Sequence, residues 1–180
     1  VYEKLIEKEK ESGLLYFNLG VIYSEMSRHA DAIRCLKETV RLSPEYVEGY
    51  IGLGMNYDDL GDYDAEAAAF EKALSLKPDN AVIRRKLAGT YYNAGRLDDA
   101  FAQYEQLVKE DSKDTYAYIE WANIYLNDKS PKEAIAILDK AVKEEIVNID
   151  LFLSLGYAYS MDDNYLDAIR FFNAALALDN

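Results

Sequence analysis

A tyrosine returns every 34 residues along this chain, at Tyr23, Tyr57, Tyr91, Tyr125 and Tyr159. A single globular core has no use for a fixed period of that length, whereas a stack of equivalent supersecondary units generates one. Neighbouring columns keep the same beat. Leu19, Leu53, Leu87, Trp121 and Leu155 precede the tyrosines, and each is followed by a small residue, Gly20, Gly54, Ala88, Ala122 or Gly156. Downstream run Ala32, Ala100, Ala134 and Ala168, then the bulky set Leu36, Phe70, Tyr104, Leu138 and Phe172; Pro44 and Pro78 close the first two units.

Apolar spacing predicts two amphipathic helices per unit. In the second unit Tyr50, Leu53, Gly54 and Tyr57 share one face of a first helix, A, while Ala67, Phe70, Ala73 and Leu74 share a face of a second, B. The small residue beside each leucine removes bulk where the two helices approach. Turn signals separate them at Leu60-Gly61-Asp62, Ala94-Gly95-Arg96 and Asn127-Asp128-Lys129. Ser130-Pro131-Lys132-Glu133 predicts a capping box opening helix B of the fourth unit. Five antiparallel pairs are expected from near Gly13, Val47, Ala81, Thr115 and Ile149, behind a leading helix over Val1 to Lys10, with no strand.

This order of bulky, small, aromatic, small, bulky and proline at a 34-residue period resembles the tetratricopeptide repeat (TPR) family, over essentially the whole chain. The resemblance implies an all-α fold, a right-handed α-solenoid of stacked antiparallel helix pairs. It divides one domain, 1–180, into repeats at 13–46, 47–80, 81–114, 115–148 and 149–180, with 1–12 as the second helix of a preceding repeat. Val1 is not a start methionine, and a piece of a longer array is expected.

Charge and composition narrow the function classes. A formal charge of −13 disfavours nucleic acid, which requires a basic stripe against its phosphates, and equally an anionic membrane surface. No apolar run reaches the roughly 18 residues that suggest a membrane span. The single cysteine, Cys35, is compatible with a reducing compartment, so a cytoplasmic location is expected. The single histidine, His29, has no nucleophile and orienting acid placed around it by sequence, and is expected to pack as a flat ring. Asp58-Asp59, Asp98-Asp99 and Asp162-Asp163 lack the alternating oxygen ligands of a calcium loop, and no phosphate-binding glycine loop occurs. No catalytic residue, metal site or cofactor is expected.

The resemblance implies instead that the A helices line a concave groove receiving a protein or peptide. Its candidate contacts are Phe17, Met55, Arg85, Tyr92, Asn93, Tyr116, Ile119, Asn123, Asn127 and Tyr157, with Tyr92, Asn93, Tyr116, Asn123 and Asn127 expected to carry most affinity. The carboxylate clamp of some family members is not matched, because Glu120 and other acidic residues stand where its cations would fall. Arg84-Arg85-Lys86 either anchors an acidic ligand group or pairs internally with Asp58, Asp59 or Asp79. Alternative readings are self-association through exposed solenoid ends, leaving Phe171, Phe172, Leu176 and Leu178 open, and a regulatory arm of a larger protein. Glu66 breaks the alanine column; its expected partners are the Tyr57 hydroxyl or the Arg84-Arg85-Lys86 cluster, unless it reaches out to water.

Overall fold

Each A helix ends in the same hydrogen-bonded knot, and that knot sets up the next helix. In a computed structural model describing residues 12–179, ten helices run in order, with no strand among the described residues. They are α1 (Gly13–Glu25), α2 (His29–Leu42), α3 (Val47–Asp58), α4 (Tyr63–Leu76), α5 (Ala81–Asn93), α6 (Leu97–Glu110), α7 (Thr115–Asn127), α8 (Pro131–Lys143), α9 (Ile149–Met161) and α10 (Tyr165–Leu178). The five predicted A-helix starts coincide with these starts. The predicted leading helix over Val1 to Lys10 lies outside the described residues.

One or two residues after each A-helix cap, Ser27, Gly61, Gly95, Lys129 or Asp163 is left-handed, with φ between 55° and 75°. Its N–H returns to the last turn, and the next N–H reaches the carbonyl of the periodic tyrosine: Arg28 to Tyr23, Asp62 to Tyr57, Arg96 to Tyr91, Ser130 to Tyr125 and Asn164 to Tyr159, at 2.8–3.0 Å. This is a Schellman ending repeated five times. The residue that completes it immediately precedes helix B, so a single turn stops one helix and aims the next. Only two of the five left-handed positions are glycine. Lys129→Gly relieves a side chain held at φ 57° and is expected to raise stability by about 0.5–1 kcal/mol, net of glycine's extra unfolded-state freedom. A urea melt checks this through a higher midpoint at unchanged slope.

The expected capping box at Ser130 is not formed. Helix α8 does begin at Pro131, but the Ser130 side chain makes no capping hydrogen bond. At the same position Asp62 and Asn164 do cap, with ψ of 73° and 72° against 67° for Ser130. Their oxygens sit one bond farther out than a serine hydroxyl, which falls short from this backbone angle. Ser12, at ψ 98°, does cap. The linker after α8 also differs. Residues before Pro44 and Pro78 leave the helical region, with φ of −136° at Ser43 and −132° at Lys77, as a following proline ring favours. Ile146 replaces that proline, and Glu145 turns left-handed instead at φ 58°.

The described residues form two compact units that divide between Ala100 and Phe101. Within the first, α1 packs on α2, α2 on α3, α3 on α4 and α4 on α5. The small column is where bulky side chains enter. A Cβ added at Gly20 would lie 2.9 Å from Leu36, and one at Gly54 2.7 Å from the Phe70 ring. Leu36 and Phe70 are each 1% exposed. The periodic tyrosines carry cations on their faces, Arg28 over Tyr23 at 4.4 Å and Arg96 over Tyr91 at 4.3 Å. The Tyr91 hydroxyl donates to Glu71 at 2.6 Å; burial first, then that carboxylate, pushes its pKa above the ordinary phenol range. In the second unit α7 packs on α8, α8 on α9 and α9 on α10. Phe101 stacks on Tyr125, and Phe171 on Tyr159.

Two expectations about single residues are corrected. Phe171 is buried, held against Tyr159 and Phe152, whereas Phe172, Leu176 and Leu178 are exposed as expected. Adjacent helical positions face about 100° apart, so the two phenylalanines cannot share a fate. Glu66, 4% exposed, neither reaches water nor bonds Tyr57 or the basic cluster; its Oε1 lies 2.6 Å from Thr90 Oγ1 on α5.

Candidate functional site

Helix A of each repeat carries its apolar core residues on one side and an exposed row on another. In the first unit the exposed row of α1 and α3 closes into a pocket. Phe17, Gly20 and Val21 of α1 face Ile51, Gly52 and Met55 of α3, with the Leu36 side chain at the bottom and a volume of about 330 Å³. The pocket exists because two glycines stand over Leu36. A Cβ at Gly52 would come within 3.1 Å of the Leu36 methyls. The same register holds Asn18, Lys86, Glu120 and Ser154 in the other repeats, all larger. Phe17 is fixed as a wall by edge-on contact with Tyr46 at 5.1 Å. Ser24, Glu25, Glu48 and Asn56 complete the lining with polar groups.

The polar groups are held in place. Asn56, 2% exposed, donates from Nδ2 to the Gly52 carbonyl at 2.9 Å. Its Oδ1 lies 3.1 Å from His29 Nδ1, and Asp59 Oδ2 lies at the same distance from that nitrogen. Both neighbours are acceptors, so the Nδ1 proton is the one this arrangement requires. His29 is therefore a positioned donor between repeats rather than a flat packing ring, a correction that follows from Asn56 standing 27 residues away. Glu48 meets Lys77 at 3.2 Å. Its own backbone N–H first, then Lys77, hold its carboxyl below the usual range, so it is charged at neutral pH.

Of the ten candidate contacts, Phe17 and Met55 line this pocket. Arg85, Tyr92 and Asn93 stand on α5, where Asn93 is exposed and the other two half-buried. Gly89 on that helix has open space above it, with nothing within 4 Å of an added Cβ. Arg84, beside them, donates to the Pro78 carbonyl at 2.7 Å, as the Tyr50 hydroxyl one repeat earlier donates to Pro44. In the second unit α7 presents Tyr116, 66% exposed, with Asn123 and Asn127 also exposed and Ile119 half-buried; α9 presents Tyr157. Sequence reading missed Gly52, Leu36 and Asn56. The signal for Gly52 was available as a glycine in a column otherwise filled by longer side chains.

Among the described residues no three His, Cys, Asp or Glu side chains gather as metal ligands, and no helix is long and apolar enough to cross a membrane.

Comparison with known proteins gives a consistent picture. Two family profiles, both described as tetratricopeptide repeat, match residues 17–81, and residues 59–118 and 94–146. No curated protein matches the chain. Among solved structures, YrrB, described as a TPR protein with an unusual peptide-binding site, is 21% identical over 98% of this chain and 91% of its own, with a TM-score of 0.69. The MamA protein is 21% identical over 93% and 92%, at a TM-score of 0.75. MamA 41-end from Desulfovibrio magneticus RS-1 is 23% identical over 93% and 94%, at 0.72. These likenesses are to the all-α solenoid fold.

Proposed function

We propose, from the premise that this chain belongs to the tetratricopeptide repeat family, that it is a non-catalytic scaffold holding a polypeptide segment or partner helix against its A helices. The observation that carries this reading is that large apolar side chains are left open on these helices in each unit: Val21 and Met55 in the first, Tyr116, Leu153 and Tyr157 in the second, each between 38% and 66% exposed. Exposed apolar groups rimmed by polar ones mark interaction surfaces. Tyrosine supplies contact area at low entropic cost, and Asn93 and Asn123 can pair with a peptide backbone through both amide atoms. The peptide-binding site described for YrrB is consistent with the class of ligand. No catalytic residue enters this reading.

Selection of binders from a random peptide library, followed by titration, tests it. Tyr116→Ala or Asn123→Ala is expected to weaken the selected peptide by about 1–2 kcal/mol, with the melting temperature nearly unchanged. Larger losses from Arg34→Ala or Leu166→Ala, on exposed faces of B helices, would reject it. Self-association is the second reading, favoured by exposed Phe172 and Leu176 lining a hollow of about 520 Å³ on the last repeat, with Leu178 also exposed. Light scattering at micromolar concentration separates the two, because a monomer removes it.

A further inference from the structure

The pocket of the first two repeats combines an apolar interior with a charged rim. Its walls and bottom are apolar, from Phe17, Val21, Leu36, Ile51 and Met55, and its volume of about 330 Å³ sits at the lower bound for ligand sites. That size admits one or two side chains rather than a broad protein face. Its rim is acidic. Glu25 and Glu48 stand on opposite helices at the pocket edge, and Asp58 and Asp59 follow Met55 by one turn. Lys77 meets Glu48, and His29 meets Asp59, while the chain as a whole carries −13. The field over the pocket is therefore negative, and it disfavours an acidic or phosphorylated segment.

Resting on the groove-binding reading above, we infer that this pocket selects a peptide segment in which one large aliphatic or aromatic side chain is flanked by lysine or arginine. The apolar side chain enters over Gly20 and Gly52 and contacts Leu36. The flanking cations lie over Glu25 on α1 and toward Glu48 and Asp58 on α3. Gly52 determines the depth, because any side chain there would cover Leu36 and leave a flat surface. The other repeats carry Asn18, Lys86, Glu120 or Ser154 in that register, each with a side chain where Gly52 has none.

The experiment measures fluorescence anisotropy with a labelled nine-residue glycine-serine peptide carrying one leucine between two lysines. Replacing its leucine by serine is expected to lower affinity about tenfold or more, and replacing both lysines by glutamate to lower it similarly at low salt. Met55→Asn, at an exposed wall position, is expected to weaken the parent peptide roughly fivefold. Glu25→Lys is expected to weaken it roughly threefold to fivefold and to improve the glutamate peptide, a rescue that a merely structural role does not produce. Equal binding of the lysine and glutamate peptides, or indifference to Met55→Asn, would overturn the inference. Indifference to Met55→Asn with loss on Tyr116→Ala would leave the groove reading standing and only this pocket rejected. A second copy of the chain closing the pocket, seen as a dimer that Met55→Asn dissociates, would also overturn it.

Discussion

Phe70→Ala is expected to destabilise the first unit by about 3–5 kcal/mol, the range for emptying a fully buried aromatic site. Phe70 is 1% exposed and its ring lies against Gly54 on the antiparallel helix, so nothing with a side chain faces it there to relax into the void. The same column offers its own control. Phe172 occupies the equivalent place in the last repeat and meets Gly156 as closely, with a Cβ at 2.6 Å from its ring, yet it is 41% exposed. Phe172→Ala is expected to cost only about 1 kcal/mol, since much of its surface already faces water. Urea melts of the two variants measure the contrast; equal losses would mean that the exposed ring is covered in solution.

The second large effect concerns Glu66. Its Oε2 is buried with no hydrogen-bond partner among the described residues, and Oε1 lies 2.6 Å from Thr90 Oγ1. Thr90 Oγ1 also lies 2.9 Å from the Lys86 carbonyl, which can only accept. One hydroxyl proton cannot serve two acceptors. A protonated Glu66 resolves this, donating to Oγ1 while the threonine donates to the carbonyl. Burial first, then the Asp58 charge, push its pKa above the ordinary 4.5, while Thr90 and Lys86 pull it the other way. The native state thus holds a proton that the unfolded chain releases earlier. Its contribution to stability is complete below the ordinary glutamate pKa and is lost as pH rises through the elevated one. Glu66→Gln is expected to remove that slope and to be as stable as the parent, or more so, at pH 7. Thr90→Val, which leaves the carboxyl with no partner, is expected to cost about 1–3 kcal/mol. A pH titration of the melting midpoint decides: stability falling towards acid in the parent alone would contradict a raised Glu66.

The period made most of the fold legible. Tyr23, Tyr57, Tyr91, Tyr125 and Tyr159 located all five A helices, and Gly20, Gly54 and Gly156 located the places where Leu36, Phe70 and Phe172 enter. Such features are local, or recur, so one repeat informs the next. What stayed hidden depends on partners in a neighbouring repeat or on backbone angles. Glu66 was correctly singled out as an intruder, but Thr90, 24 residues on, reaches it only once α4 and α5 are packed. Ser130 has the right identity for a cap and the wrong reach for its ψ of 67°. The proposed binding surface was named as a roster of residues, of which Met55 and Tyr116 are exposed. Its relief was not, because the depth at Gly52 comes from an absent side chain that exposes a leucine sixteen residues away.

The way helices pack, each chiefly against its immediate neighbours in sequence, bears on how the chain is made. Contacts close over short loops, so little chain entropy must be surrendered before the first native pairs form, a property of fast-folding topologies. During synthesis α1 and α2 can dock as soon as α2 clears the ribosome, without waiting for residues translated seconds later. The Schellman turn at Ser27 contributes in advance, because its hydrogen bonds need nothing beyond α1 and the next residues through Arg28. The same locality runs in reverse in the finished molecule. Helix α10, packed on α9, can detach while α7 and α8 keep their partners, so amide protons there should exchange first and those of α8 last within the second unit.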